Sequence, residues 1–500
     1  MIDPSSRPRR HPAIAAFLSF LFPGLGQLYV GQRRLALILA APMALLLLTA
    51  LAAFAFGGTA VLNSALSATF LTVLVGLDLA VMAWRLFAIG QVGFVWPEPA
   101  PARVAATVGG PGASVRQPLT PERMATIAFV VFLMLLTVGM HAWGGMLVGR
   151  VNSTLGDVFS GVGSGGAPGG AGGNPGPLNR PDYAWDGNER INFLLLGIDS
   201  GSGRVHEART DTILAVSVDP ETNSAIMISI PRDTGFLPLP DRSVYPDGVY
   251  PRKINELATE AGEDPERWCP DLPPDSGEAC GLRTLERTIG LYLGIPIQYY
   301  ATIDLEGFTR LVDAVGPLRL CLPGKLVDDT YNGRGDIWPG RRGVELPAGC
   351  NDYGGRLALA YARARQGYLE MPDGTRQQLD DFQRSERQQR VLLELRREFA
   401  QMDLFFDLPD TLDAIGSTVQ TDFPRDKAGD LASLLPLITG EEIRRLVLDL
   451  PRFVDPPLDP LTNYMLIPRR DDLRAAMRRL FGRENLEGWY LATRDAGPDA

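Results

Sequence analysis

Ile191-Asn-Phe-Leu-Leu-Leu-Gly-Ile198 is apolar over nearly its whole length and stops at Asp199. A short apolar run bounded by polar residues reads as a buried strand. Thr212–Val218 (TILAVSV) begins just after Asp211, and Ser224–Ile230 (SAIMISI) follows the turn residues Asp219, Pro220, Glu221, Thr222 and Asn223. The second and third runs therefore predict a hairpin. With the turn centred near Glu221, Asp211 lies opposite Pro231 and Arg232, so the open end of the hairpin carries Arg209, Asp211 and Arg232. A first strand antiparallel to the second adds Asp199 to the same rim. Arginines gathered with carboxylates suit a phosphate-rich ligand bridged by a divalent metal, because guanidinium is permanently charged and offers a planar fork of donors.

Outward from this hairpin the composition divides. The 500 residues carry a net charge of -10 and only 3 His, which gives no basic footprint for nucleic acid. Leu35–Phe56, Leu66–Val95 and Met124–Val148 are nearly uncharged and reach the ~20 residues that span a bilayer. They predict about three membrane helices. Pro12–Val30 is also apolar, but Pro23, Gly24 and Gly26 interrupt it, which predicts a re-entrant or interfacial hairpin. Arg7, Arg9, Arg10, Arg33 and Arg34 flank this hairpin, and Arg103, Arg116 and Arg123 precede the last span. With these on the cytoplasmic side, three crossings place everything after Arg150 outside. A cleaved signal peptide is the alternative; several apolar runs and no small-residue cleavage site argue against it.

The expected organisation is a membrane region over 1–150, a Gly/Pro-rich linker over 151–185, a globular domain over 186–490 and a disordered tail over 491–500. Gly161, Gly163 and Gly166 have dinucleotide-loop spacing, but no strand precedes them and no helix follows, so composition explains the match. The four cysteines, Cys269, Cys280, Cys321 and Cys350, all lie in the outer part. Three pairings are open. Cys269 with Cys280 and Cys321 with Cys350 is favoured, since each closes a short, turn-rich loop. A zinc site is disfavoured by the lack of CxxC spacing and by histidines placed elsewhere.

Leu357–Arg365 (LALAYARAR) is built of helix formers. On a continuous helix residues two apart point about 200° away from each other, so Arg363 and Arg365 would not serve one ligand. Either one is an ordinary surface arginine, or the helix ends near Ala362 and both leave from an extended exit; the polar residues Gln366–Thr375 favour the second. From Asp380 to Ala400 an apolar stripe runs through Val391, Leu392, Leu395 and Phe399. Gln388, Arg384 and Asp381 fall within about 40° of its centre. Charge on an inward face requires partners or a ligand. Arg387 lies off the stripe and is expected in solvent.

These residues resemble the LytR-CpsA-Psr family of proteins that attach glycopolymers to bacterial cell walls. The matching pieces are LLLGID (Leu194–Asp199), ARTDTI (Ala208–Ile213), SIPRDT (Ser229–Thr234), KIN (Lys253–Asn255), TIDLEGFTRLVDAVG (Thr302–Gly316), LALAYARAR (Leu357–Arg365) and DDFQRSERQQ (Asp380–Gln389). Seven pieces stand in the family's order, and the resemblance they carry covers most of the outer domain, about Arg190 to Ala400. The resemblance implies an α/β fold: an extracytoplasmic three-layer catalytic domain with a central mixed sheet flanked by helices and an apolar tunnel for a lipid tail, preceded here by an all-α membrane region. It implies a phosphotransferase that takes a polymer from a polyprenyl-pyrophosphate carrier and joins it to a hydroxyl of peptidoglycan or a related wall polymer as a phosphodiester.

By match of motif, Asp199, Asp211 and Arg232 would be catalytic. Arg209, Lys253, Arg363, Arg365, Asp381, Arg384 and Gln388, with Arg232, would bind the pyrophosphate. Asp199 and Asp211 would position Mg²⁺, with Mn²⁺ as the alternative ion, or the nucleophile; Asp381 would either orient Arg384, the preferred role, or accept a proton. Phosphoryl transfer needs neutralised charge and an in-line nucleophile, and arginines with a metal supply the first. The implied partners are the lipid-linked glycopolymer, the wall acceptor and the membrane, with no nucleic acid.

Departures from the pattern are Cys269, Cys280 and several prolines after KIN, Gln366 where a histidine is common, and the polar insertion Gly367–Gln378. A hydrolase cleaving the lipid pyrophosphate with water and a non-catalytic polymer-binding module are the competing readings. Both aspartates speak against the second and do not separate transfer from hydrolysis. Serine hydrolase and P-loop chemistry are excluded by the lack of GxSxG and GxxxxGK[ST]. Beyond Ala400, Ile443–Leu450 reads as a strand and Asp471–Phe481 as a helix.

Overall fold

The computed structural model describes residues 11–94, 120–160, 185, 189–198, 209–331, 343–401, 411, 414–416, 418–434, 443–457 and 464–494. The chain divides into two compact units, Met1–Asn152 and Ser153–Ala500.

In the first unit, Arg33–Ala53, Ala68–Gly93 and Pro121–Val158 are long and apolar enough to cross a membrane. The interrupted N-terminal stretch forms two short helices, Pro12–Leu21 and Leu25–Val30, separated by extended Phe22 and by Gly24 at φ 101°. A side chain at Gly24 would also meet the Ala36 carbonyl at 2.5 Å. The last helix runs through Gly156 to Val158, so the linker expected to begin at 151 begins at least eight residues later. One glycine costs a helix only about 1 kcal/mol, and the flanking residues keep it going. Residues 161–184 lie outside those described.

The apolar spans also hide charge that the sequence reading passed over. Asp78 Oδ1 lies 2.7 Å from His141 Nδ1, His141 Nε2 lies 3.5 Å from Arg85 Nη1, and Arg85 Nη2 donates to the Phe20 carbonyl at 2.8 Å. The imidazole thereby joins Asp78 to Arg85 through its two ring nitrogens, and three segments are tied together. Charged groups in apolar spans persist when paired in this way. Asp78→Leu or His141→Leu should each lower the Tm of the detergent-solubilised full chain by a few degrees, on the scale of ~1–2 kcal/mol per interhelical hydrogen bond. The double variant should lose no more than the worse single one, and an unchanged Tm in both singles would contradict this account of the packing.

The second unit is built on the predicted strands β1 (Ile191–Ile198), β2 (Thr210–Asp219) and β3 (Ser224–Ser229). β2 and β3 form a hairpin in which Val218 faces Ala225 and Leu214 faces Ser229. The turn is fixed by Asp219 Oδ1, which accepts from the amides of Glu221 and Thr222 at 3.1 and 3.2 Å, while Asn223 takes φ 51°. β1 is antiparallel to β2 and parallel to Tyr299–Asp304. The six-stranded mixed sheet has the order Val419–Thr421, Tyr299–Asp304, β1, β2, β3, Ile443–Val447.

Alternate residues sort the two faces of the sheet. Leu194, Leu196, Ile213, Ala215, Ile226 and Ile228 share one core cluster with residues of Ile254–Glu263, Gly277–Leu293 and the C-terminal helix. Ile191, Phe193, Leu214, Val216, Val218 and Met227 share another with Phe423 and with Leu392 and Leu393 of Asp381–Gln401. Helices thus cover both faces, which gives the expected three layers. A four-stranded sheet lies to one side, and in it the insertion after Gln366 forms the hairpin Tyr368–Glu370 and Arg376–Gln378 against Lys325–Asp328. Gly367 is required there, because a Cβ would sit 1.7 Å from the Val327 carbonyl. Disulfides join Cys269 to Cys280 and Cys321 to Cys350. The C-terminal helix Arg470–Arg494 breaks at Gly482 and takes in residues 491–494, where the sequence predicted disorder; 495–500 lie outside the described residues.

Candidate active site

The hairpin register, continued past its last pair, sets Asp211 opposite Arg232. Arg232 Nη1 donates to Asp211 Oδ1 at 2.5 Å. β1 pairs Gly197 with Thr212 but Ile198 with Thr210, so Asp211 is the extra residue of a bulge. Bulges re-aim a side chain at the rim of a sheet. Gly197 permits this one, since a Cβ there would lie 2.8 Å from Thr212.

Around this pair the remaining groups form one ionic network. Arg232 Nε lies 3.4 Å from Asp381 Oδ2 and 3.9 Å from Asp233 Oδ2. Asp233 Oδ1 accepts from Lys253 Nζ at 2.7 Å, and that ammonium stands 5.9 Å from the Tyr464 ring centroid. Asp381 also lies 3.5 Å from Arg384 Nη2 and 3.8 Å from Arg365 Nη1, which is the geometry of an orienting group among three arginines. Arg384 is 5% exposed and donates to the Asp211 carbonyl at 3.2 Å. Burial disfavours the Arg232 charge, but Asp211 and then Asp381 outweigh it and hold the guanidinium above its ordinary value. At Arg384 burial prevails over the opposing pull of Asp381, and Arg232 adds to the lowering.

The helix bearing Asp381 is started by Asp380, whose Oδ1 accepts from the Gln383 amide at 2.7 Å, an N-cap. The preceding arginine pair is placed by a helix end. Gly355–Arg363 stops at Arg363, and Ala364 is extended at ψ 131°, so Arg363 and Arg365 leave from an exit that is no longer helical. Asp328, 2% exposed, fixes this exit: its Oδ2 accepts from the amides of Arg365 and Gln366, both at 3.1 Å.

Arg387 corrects the sequence reading. It is 4% exposed, donates from Nε to the Tyr361 carbonyl at 2.7 Å, and binds the Ala364 carbonyl through Nη2. Asp381–Gln401 is buried on two faces, against the sheet through Leu392 and Leu393 and against Gly355–Arg363 through Val391 and Leu395, so a residue off one stripe lies on the other. Two carbonyls at the end of a short helix lack intrahelical donors, and Arg387 supplies them.

The structure thus brings together Asp211, Arg232, Lys253, Arg365, Asp381 and Arg384. Arg209 is 70% exposed at its side chain and lies 3.4 Å from Glu256, at the start of the helix that follows Lys253. Gln388 Nε2 reaches the Ala362 carbonyl at 3.4 Å and contributes to helix packing. Arg363 is half-buried at its helix end. Asp199 lies outside the described residues. Asp233, Asp328 and Arg387 were missed; Asp233 sat inside the SIPRDT motif, whereas nothing local in the sequence marks Asp328.

Among the described residues, buried Arg232 Nε, Arg384 Nε and Asp381 Oδ2 have no hydrogen-bond partner, although Asp381 Oδ2 lies 3.4 Å from Arg232 Nε and 3.5 Å from Arg384 Nη2. Unsatisfied donors on two buried guanidinia call for acceptor oxygens, and two oxygens of a tetrahedral phosphate can meet the planar guanidinium fork.

The sequence profile of the LytR_cpsA_psr family matches residues 176–459. The chain is 26% identical to the polyisoprenyl-teichoic acid–peptidoglycan teichoic acid transferase TagU of Halalkalibacterium halodurans over 62% of this chain and 84% of that one. It is 29% identical to the cell wall biosynthesis protein LcpA of Corynebacterium glutamicum over 60% of this chain and 52% of that one. The crystal structure of Bacillus subtilis TagV aligns with 60% of this chain and 98% of its own, at 22% identity and a TM-score of 0.42.

Asp328→Ala removes the acceptor of two backbone amides and should cost about 1–3 kcal/mol of stability. Hydrogen exchange should quicken first at residues 364–367. Exchange there at the parent rate would show that Asp328 does not hold the arginine-bearing exit.

Proposed function

The chain belongs to the LytR-CpsA-Psr family, and from that premise we propose that it is a phosphotransferase moving a glycopolymer from a polyprenyl-pyrophosphate carrier to a hydroxyl of a cell-wall polymer. The observation that carries the reading is Arg232 held among Asp211, Asp233 and Asp381 beside Arg384. The name of TagU, a teichoic acid transferase, points to the same chemistry, and that of LcpA to cell wall biosynthesis.

In the proposed reaction the acceptor hydroxyl attacks the phosphorus that bears the sugar, and the bond from that phosphorus to the bridging oxygen breaks. The polymer ends in a phosphodiester, and polyprenyl monophosphate departs with the electron pair. Arg232, Arg384 and Arg365 bind the non-bridging oxygens, and Lys253 neutralises the leaving phosphate. Asp381 keeps the three arginines oriented. Asp211 faces the rim with its side chain 22% exposed and is the carboxylate placed to take the hydroxyl proton.

Mg²⁺ fits this donor set. Among the described residues no group of three or more His, Cys, Asp or Glu makes a protein-only cage. Mg²⁺ commonly uses one or two carboxylates and completes its shell with phosphate oxygens and water. Asp211, joined by Asp199, would hold it, with Mn²⁺ as the alternative ion. When bound, the ion would neutralise charge on the phosphate oxygens. The three apolar helices support a multi-pass placement with the α/β unit on the outer side of the membrane, where lipid-linked polymers meet the wall.

The full chain in detergent, given a polyprenyl-pyrophosphate saccharide, Mg²⁺ and a peptidoglycan fragment, should yield a phosphodiester detectable by mass spectrometry. Loss of pyrophosphate without that product would make it a hydrolase, and no loss at all would end both enzymatic readings. Asp211→Ala and Arg365→Ala should each lower turnover by about 10²–10³, the scale of removing one charge-stabilising group. The Tm of Arg365→Ala should stay near the parent value, since that side chain is 38% exposed, whereas Asp211→Ala should also lower Tm because buried Arg232 loses its nearest carboxylate. Chelation by EDTA should stop the reaction and added Mg²⁺ restore it.

A further inference from the structure

The family profile ends at residue 459, and just beyond it the chain returns to the rim at Tyr464. Backbone hydrogen bonds set the place of this segment. The Leu466 amide donates to the Asp233 carbonyl and the Gly235 amide to the Leu466 carbonyl, both at 2.9 Å, and Thr234 forms a parallel bridge with Leu466. Gly235 permits the approach, because a Cβ there would sit 2.1 Å from Met465 Sδ.

Lys253 is pinned to the same loop, 232–235. The amides of Ile254 and Asn255 donate to the Thr234 and Arg232 carbonyls at 2.8 and 3.3 Å, and Lys253 Nζ donates to Asp233 Oδ1 at 2.7 Å. The loop thus fixes the backbones of both residues, and their side chains meet. The Lys253 ammonium stands 5.9 Å from the Tyr464 ring centroid, within the distance at which an aromatic face attracts a cation.

Core packing does not account for this ring. Met465 and Leu466 are 7% and 2% exposed, whereas Tyr464 is 45% exposed. Among the described residues of the second unit, Phe236 is the one other large apolar side chain left exposed, and it directly follows Gly235. Burial, then Asp233, Asp381 and Asp380, hold the Tyr464 phenol above its ordinary value. The ring therefore meets Lys253 as a neutral π face, with no phenolate to compete with a phosphate for the ammonium. Left to Asp233 alone, that ammonium would be drawn into an internal ion pair. A ring face attracts it through the quadrupole and leaves its charge available to an anion.

We propose that Tyr464 is a positioning residue of the pyrophosphate site, whose ring holds the Lys253 ammonium where it neutralises the leaving phosphate. The identity of the ligand rests on the function proposed above; the contact between ring and ammonium does not.

The test is calorimetric binding of farnesyl pyrophosphate, with Mg²⁺ present, to the full chain in detergent, arranged as a double-mutant cycle. Tyr464→Leu should weaken binding about three- to fivefold, the scale of one partly exposed ammonium–ring contact. Tyr464→Phe keeps the ring and should bind like the parent. In a Lys253→Met background, where Arg232, Arg365 and Arg384 remain to bind, Tyr464→Leu should cause no further loss. Equal losses in the two backgrounds would overturn the inference, as would a loss on Tyr464→Phe as large as on Tyr464→Leu. If Lys253→Met binds too weakly to measure, the contrast between Tyr464→Leu and Tyr464→Phe decides alone. A parent that binds beside an unaffected Tyr464→Leu would end this inference and leave the pyrophosphate reading standing. No binding by the parent would end both.

Discussion

The ion pair between Arg232 and Asp211 is the interaction on which the rest of the site depends. It closes the open end of the β2–β3 hairpin at 2.5 Å and uses a bulge to turn Asp211 toward the rim. Arg232 is 12% exposed at its side chain, so its charge survives only because carboxylates surround it. Asp381 and Asp233 complete that ring, and each carries a second cation with it: Arg384 through the first, Lys253 through the second. One buried guanidinium thereby assembles residues more than a hundred and fifty positions apart in sequence.

Asp381–Gln401 is the element that makes this assembly rigid. Its N-terminus supplies Asp381 and Arg384, and Gln389 ties its middle to the sheet through Ser229 Oγ at 2.8 Å and the Leu446 carbonyl at 3.0 Å. Arg387 clamps the end of the neighbouring helix. The same side chain that shapes the exit of Arg363 and Arg365 thus belongs to the helix that carries the other arginine. Catalytic groups on packed helices and strands are held more closely than groups on loops.

The sequence disclosed the parts of this arrangement that follow from local periodicity. The three strands, the hairpin turn and the register of Asp211 with Arg232 are readable because apolar runs and turn residues set them directly. The inner phase of Asp381 and Arg384 is readable for the same reason. Arg387 was misplaced because helical phase identifies one buried stripe and does not reveal that a second helix covers another face. Asp328 was invisible because it acts through backbone amides nearly forty residues away. The Asp78–His141–Arg85 chain was passed over because mean hydropathy averages three polar side chains into long apolar runs. In each case the missing information is tertiary: which surface lies opposite.

The central claim is that the Arg232 network is built for a pyrophosphate rather than for anions in general. Calorimetric titration of the full chain with farnesyl pyrophosphate and with farnesyl monophosphate, each with Mg²⁺ present, tests it most directly. The pyrophosphate should bind at least about tenfold more tightly, a difference of 1.4 kcal/mol, and Arg232→Gln should erase that difference. Equal affinity for the two lipids in the parent protein, or a preference that persists in Arg232→Gln, would contradict the account.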